Sequence, residues 1–158
     1  TQSKVARIMM YPMIKLGDSV QYEAWPLDPR TICLQQLKQL HSMGYSLFSA
    51  FEHEFQVIDS NNNEPLWSGK EFCGTNKFAL HQDFAFELEK HLYRMGIDVE
   101  QMHVEYSPGQ YELPMKASWG IAAADNSFTF RNSIKQIAAQ KGYTATFATT
   151  PFPDNIQG

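Results

Sequence analysis

Little in this sequence could serve as a covalent staple. Cysteine appears only as Cys33 and Cys73, far apart and without a C-x-x-C spacing, so neither a disulfide framework nor a zinc ribbon is expected, and a reducing, cytoplasmic setting suits the chain. No apolar run is long enough to span a bilayer, and the opening Thr1-Gln2-Ser3-Lys4-Val5 lacks the layout of a signal peptide, so no membrane partner is expected. The 13 Lys and Arg residues are outnumbered by 17 acidic ones and form neither a run nor a stripe. That excludes nucleic acid or an anionic membrane as the main partner. Internal repeats and low-complexity tracts are also lacking.

What the chain does have is core-forming material. Hydrophobic residues make up 43% of the 158, with 11 Phe, 7 Tyr and 3 Trp, enough for one packed domain over 1–158 and too much for a disordered tail. The missing initiator Met and the ending Asp154-Asn155-Ile156-Gln157-Gly158 read as an excised segment.

Periodicity places the elements. Val5–Met10 reads as a strand, and the turn Gly17-Asp18 leads to an extended piece over Val20–Glu23. Asp28 caps a first helix with Pro29 at its first position, and Ile32, Leu37, Leu40 and Met43 recur at helical spacing until Gly44 stops it. Leu47–Ile58 alternates: Phe51, Phe55 and Val57 on one face, Glu52, Glu54 and Gln56 on the other. A loop through Thr75 carries Trp67 and Phe72. A second helix over His81–Met95 aligns Phe84, Leu88, Leu92 and Met95 and stops at Gly96. Asp98–Glu105 predicts a strand, Ser107-Pro108-Gly109 a break and Tyr111–Leu113 a short strand. A third helix runs from Ser127 to Lys141, with Asp125 or Asn126 near its start, and Tyr143–Thr149 returns as a strand. The fold class is α+β, with a mainly antiparallel sheet and flanking helices.

Glu52 and Glu54 leave one strand in the same direction, and Glu105 and Glu112 flank the Pro-Gly break. If these strands are neighbours, several carboxylates meet on one face, which raises their pKa values or demands a cation. Oxygen ligands suit Mg²⁺ or Mn²⁺. A plain solvated face is the other reading of a Glu-x-Glu strand. His41, His81 and His91 lie on helical stretches as surface or packing residues, and His53 points away from Glu52 and Glu54.

Phe51-Glu52-His53-Glu54-Phe55 resembles the E-x-E-F strand of the glutamine synthetase family. His103-Val104-Glu105-Tyr106-Ser107-Pro108-Gly109-Gln110-Tyr111-Glu112 resembles that family's H-H-E and P-G-Q-x-E signature, in the same order. Asp28-Pro29-Arg30 matches its D-P-R, and Ala124-Asp125 through Ala145-Thr146-Phe147 is similar to the helix and strand before its A-T-F-M-x-K-P segment. The likeness thus runs over nearly the whole chain, which corresponds to the N-terminal part of that catalytic domain. Ser46–Phe51 and Gly120–Phe128 are most similar to the lengsin branch, lens proteins for which a structural role is inferred.

The resemblance implies that Glu54, Glu105 and Glu112 hold the Mg²⁺ or Mn²⁺ that positions glutamate, that Glu52 is one ligand of a second metal at the nucleotide phosphates, and that Glu100 lies near the ATP. The implied reaction is ATP-dependent ligation of ammonia to glutamate through an acyl phosphate, carried out between adjacent subunits of a homo-oligomeric ring; the alternative is a non-catalytic, assembly-forming protein like the lengsins. Val104 stands where the family has its second His, and Thr150 replaces the lysine of M-x-K-P, so the departures fall on nucleotide handling. The family's later histidine loop and arginines lie beyond Gly158. No residue is therefore assigned as catalytic, and this chain by itself is expected to be inactive.

Overall fold

The computed structural model describes residues 6–18, 20–149 and 151–152. Its centre is a four-stranded sheet built from β4 (Glu52–Asp59), β5 (His103–Val104), β6 (Gln110–Pro114) and β8 (Tyr143–Thr146), in the order β5-β6-β4-β8 and antiparallel throughout. Two small ribbons accompany it: β1 (Met13–Lys15) with β2 (Tyr22–Ala24), and β3 (Phe48–Ser49) with β7 (Ser118–Trp119). Helices α1 (Pro29–Ser42), α2 (Thr75–Leu80), α3 (Gln82–Arg94) and α4 (Ile121–Gln140) complete the chain. The mixed, antiparallel architecture is the one the sequence implied.

The pleat separates the two faces of the sheet. Phe55, Val57, Val104, Tyr111, Leu113 and Ala145 point to one side, where they join Phe84, Leu88 and Leu92 of α3 and Phe130, Ile134 and Ile137 of α4 in a single buried cluster. Burying each large apolar side chain stabilises the fold by about 1.5–3 kcal/mol. His53 lies on this side too. It is bonded to Ser127 Oγ at 2.9 Å and stacked on Phe130, and burial, helped by the Arg131 charge, lowers its pKa to about 4, so it is a neutral core histidine.

Local signals set both ends of α1. The Asp28 carboxylate accepts from Thr31 N–H at 2.8 Å, Pro29 takes the first turn, and Gly44 follows the end at φ +85°. Helix α4 starts earlier than the expected Ser127. It begins at Ile121, after Gly120 at φ +57°, because the run Ala122-Ala123-Ala124 is strongly helix-forming. Asp125 is therefore inside the helix, where it accepts two hydrogen bonds of 2.9 Å from Arg30 and ties α1 to α4.

Other expectations fail for tertiary reasons. Residues 6–10 form no strand, and Val5 lies outside the described residues. The long Leu47–Ile58 strand is broken at Ala50-Phe51, since β3 leaves the sheet to pair with β7, and Phe51 is 42% exposed instead of joining the core. Of the Asp98–Glu105 strand only His103–Val104 is laddered, with Val99 making a lone bridge to Met115. The loop expected through Thr75 gives way there to a short helix, Thr75–Leu80, and Met95 ends the α3 stripe 44% exposed.

One turn decides where the acidic residues land. Gly109, at φ +68°, is pressed so closely on β4 that a Cβ there would lie 2.6 Å from Val57 O and 3.1 Å from Leu66 N. Gly96 has a similar φ of +77° but open space around it. Gly96→Ala should cost about 1 kcal/mol through left-handed strain alone, and Gly109→Ala about 3 kcal/mol because the backbone must also move. Urea unfolding of both variants checks this; equal losses would show that the close approach carries no energy.

Candidate metal centre

The site grows directly from the register of the sheet. Glu54 of β4 faces Glu112 of β6, and Glu112 in turn faces His103 of β5, so the three side chains form one row across adjacent strands on the side away from the core. Glu105 follows His103 with the same parity, at the entrance to the 105–110 turn, and is only 4% exposed. The turn holds it there: Glu105 N–H donates to Gln110 O at 2.8 Å, and Gln110 N–H to Ser107 O at 3.1 Å.

The groups are close. His103 Nδ1 lies 3.3 Å from Glu105 Oε1, and His103 Nε2 lies 3.7 Å from Glu112 Oε2. Ligand atoms of His103, Glu105 and Glu112 all fall within 4.8 Å of one another. Glu54 stands beside this group of three and is held by Gln110, whose Nε2 donates to Glu54 Oε2 at 2.6 Å. Burial, a hydrogen bond with Glu105 and the Glu105 and Glu54 charges raise the Glu112 pKa to about 7, against the pull of His103. Burial and the Glu105 charge likewise raise Glu54, opposed by the Gln110 hydrogen bond and His103. Neighbouring half-buried carboxylates whose pKa values are raised by burial and by one another fit a hard divalent cation, and the imidazole nitrogen beside them suits Mn²⁺ better than Mg²⁺.

The other sequence candidates lie apart. Glu52 is exposed at the rim of the row, opposite Pro114, and its charge reaches Glu54. Glu100 is outside the cluster. Its N–H donates to Pro114 O at 2.9 Å, and it lines a cavity of about 410 Å³ with Glu89, Lys90, Tyr93 and Lys116. Val104 is 1% exposed and packs in the core on the side of the sheet away from the carboxylates. Thr150 lies outside the described residues.

Two members of the site have weaker sequence signals than the glutamates. His103 is marked in the sequence by its motif and by its spacing to Glu105, which places both on one strand face. Gln110 stands in the same motif, but its bond to Glu54 depends on the turn and on a strand distant in sequence. Gln56, beside Gln110 in the ladder and 1% exposed, has no partner for either amide atom among the described residues.

A sequence model of the family described as "Glutamine synthetase, catalytic domain" matches residues 26–158. The chain is 31% identical over 135 residues to a glutamate–isopropylamine ligase of Pseudomonas sp, covering 79% of the chain and 29% of that protein. It is 35% identical over 124 residues to lengsin of Canis lupus familiaris, covering 76% and 21% respectively. A solved structure titled as a novel glutamine synthase homolog superposes with a TM-score of 0.75 at 27% identity, over 85% of this chain and 30% of that one. The chain thus spans less than a third of the length of these relatives.

The raised Glu112 value fixes a pH dependence. Below its ordinary 4.5 the carboxyl is protonated in both the folded and unfolded chain and costs nothing; as pH rises to about 7 only the unfolded chain gains by ionising, so metal-free stability falls and the full penalty stands above that window. Glu54 adds to the same slope. Glu112→Gln should match the parent at about pH 4 and melt at a higher temperature at about pH 8. Melting curves across this range, in chelator, check it; parallel pH profiles for the two proteins would refute the assignment.

Proposed function

Since the chain belongs to the glutamine synthetase catalytic-domain family, we propose that it forms one wall of an ATP- and Mg²⁺- or Mn²⁺-dependent site that ligates ammonia to glutamate. The observation that carries this reading is the convergence of His103, Glu105 and Glu112, with Glu54 in register beside Glu112 on the same sheet face. The three carboxylates hold the first cation, His103 adds a nitrogen, and Glu52 at the rim is placed to share a second one. Glu100 is assigned to the nucleotide, with its neighbouring cavity as support.

In the proposed reaction a glutamate side-chain oxygen takes the γ-phosphoryl group and ADP leaves. Ammonia then attacks the acyl carbon, phosphate departs and a proton is lost. Bound cations would neutralise the charge that gathers when a phosphoryl group meets a carboxylate. The chain's own residues keep that neutralisation in place: the sheet holds Glu54 and Glu112 in register, and the 105–110 turn holds Glu105 beneath them. Assembly with further copies in a ring is part of the same reading. It is supported by apolar side chains left open to solvent, among them Val20, Leu27, Leu80 and Trp119 at 91%, 71%, 75% and 64% exposure.

Mn²⁺ titration followed by electron paramagnetic resonance tests the site. The chain should bind Mn²⁺, and Glu105→Gln or Glu112→Gln should weaken binding by about ten-fold or more. Phosphate release with ATP, glutamate and ammonia should be absent for the chain alone and appear when it is part of a polypeptide of its relatives' length. No Mn²⁺ binding at millimolar concentration and about pH 8 would sink the metal reading. Binding without turnover in the longer polypeptide would instead favour a non-catalytic, lengsin-like role.

A further inference from the structure

Gln110 is a glutamine with both ends of its side chain committed. It is 1% exposed. Its Oε1 accepts from Ser107 N–H at 3.0 Å, and its Nε2 donates to Glu54 Oε2 at 2.6 Å. The backbone N–H of Ser107 can only donate, so the amide oxygen must face it and the amide nitrogen must face Glu54. The amide therefore has one orientation and cannot flip without losing both bonds.

The base of this arrangement is rigid. Gln110 is paired with Gln56 in the β4–β6 ladder, its carbonyl accepts from Glu105 N–H at 2.8 Å, and its N–H closes the turn on Ser107 O at 3.1 Å. Just before it, Gly109 O accepts from Val57 N–H at 2.8 Å. The same turn thus fixes Glu105 through the backbone of Gln110 and Glu54 through its side chain.

We propose that Gln110 is a positioning residue for cation binding: its amide engages one oxygen of Glu54 and presents the other to the space shared by Glu105, Glu112 and His103. This rests on the metal reading given above and adds to it the group that aims a ligand contributed by another strand. A carboxylate left to rotate would need to be ordered at the moment of binding, and outer groups that remove this cost tune metal affinity.

The test uses the intact chain and Mn²⁺ as the probe, with affinity read by electron paramagnetic resonance. Gln110→Met keeps the volume and removes both bonds. Gln110→Glu, assayed at about pH 8 to favour its ionised form, keeps an acceptor for Ser107 N–H and in that form has no proton to donate to Glu54, so it tests the second bond even if the first variant folds poorly. Gln56→Met is the control, a buried amide on the same face at the next strand whose loss breaks no protein hydrogen bond among the described residues. Both Gln110 variants should weaken Mn²⁺ binding by about ten-fold or more, with Gln56→Met near the parent. In a Glu54→Gln background, Gln110→Glu should cost no further affinity, because its effect passes through the Glu54 carboxylate. Additive losses in that background, or unchanged affinity in Gln110→Glu, would overturn the inference. A parent chain that binds no Mn²⁺ would overturn both the inference and the metal reading, whereas a parent that binds while Gln110→Glu binds equally well would overturn the inference alone.

Discussion

The register between β4 and β6 is the constraint on which the rest of the site depends. Phe55 and Tyr111 face each other on the buried side, 2% and 0% exposed, and this pairing is what sets Glu54 opposite Glu112 on the other side. A slip of one residue would send either Phe55 or Tyr111 to the acidic face and the carboxylates of the shifted strand into the core. The apolar face thus holds in place an arrangement of like charges that would not form by itself. Core packing opposes electrostatic repulsion, and a cation binding only the folded state would relieve it.

The second constraint is the turn between β5 and β6. Proline and glycine are there for different reasons: Pro108 needs no ladder partner, and Gly109 adopts φ +68° where a side chain would collide with β4. Because the turn lies this close, Glu105, Gln110 and Glu112 are delivered as a group to a strand that already carries Glu54. Shape and charge are joined here, since the contacts that close the turn are the ones that hold the carboxylates.

Behind the sheet, α4 supplies Phe130, Ile134 and Ile137 to the core and is fixed to α1 by the Arg30–Asp125 pair. Both side chains of that pair are 22% exposed, and its bidentate geometry serves orientation more than stability. His53 and Val104, which flank site residues in sequence, belong to this layer. Alternation along the strands sends each of them inward while its neighbours face the candidate site.

Much of the site was legible in the sequence because strand parity is a local property. Glu52 and Glu54 had to share a face, and the break at Ser107-Pro108-Gly109 had to separate Glu105 from Glu112. The cap at Asp28 and the stop at Gly44 were legible for the same reason, being set by residues within a turn of one another. What local pattern could not say is which strands are neighbours. Only the order β5-β6-β4 brings His103 into the row and gives Gln110 a partner on another strand, and only tertiary contacts make Asp125 an ion-pair partner instead of a cap. The sequence determined the residue types and their parity; the tertiary structure decided their company, because cross-strand register and helix packing follow from the burial of side chains far apart in the chain.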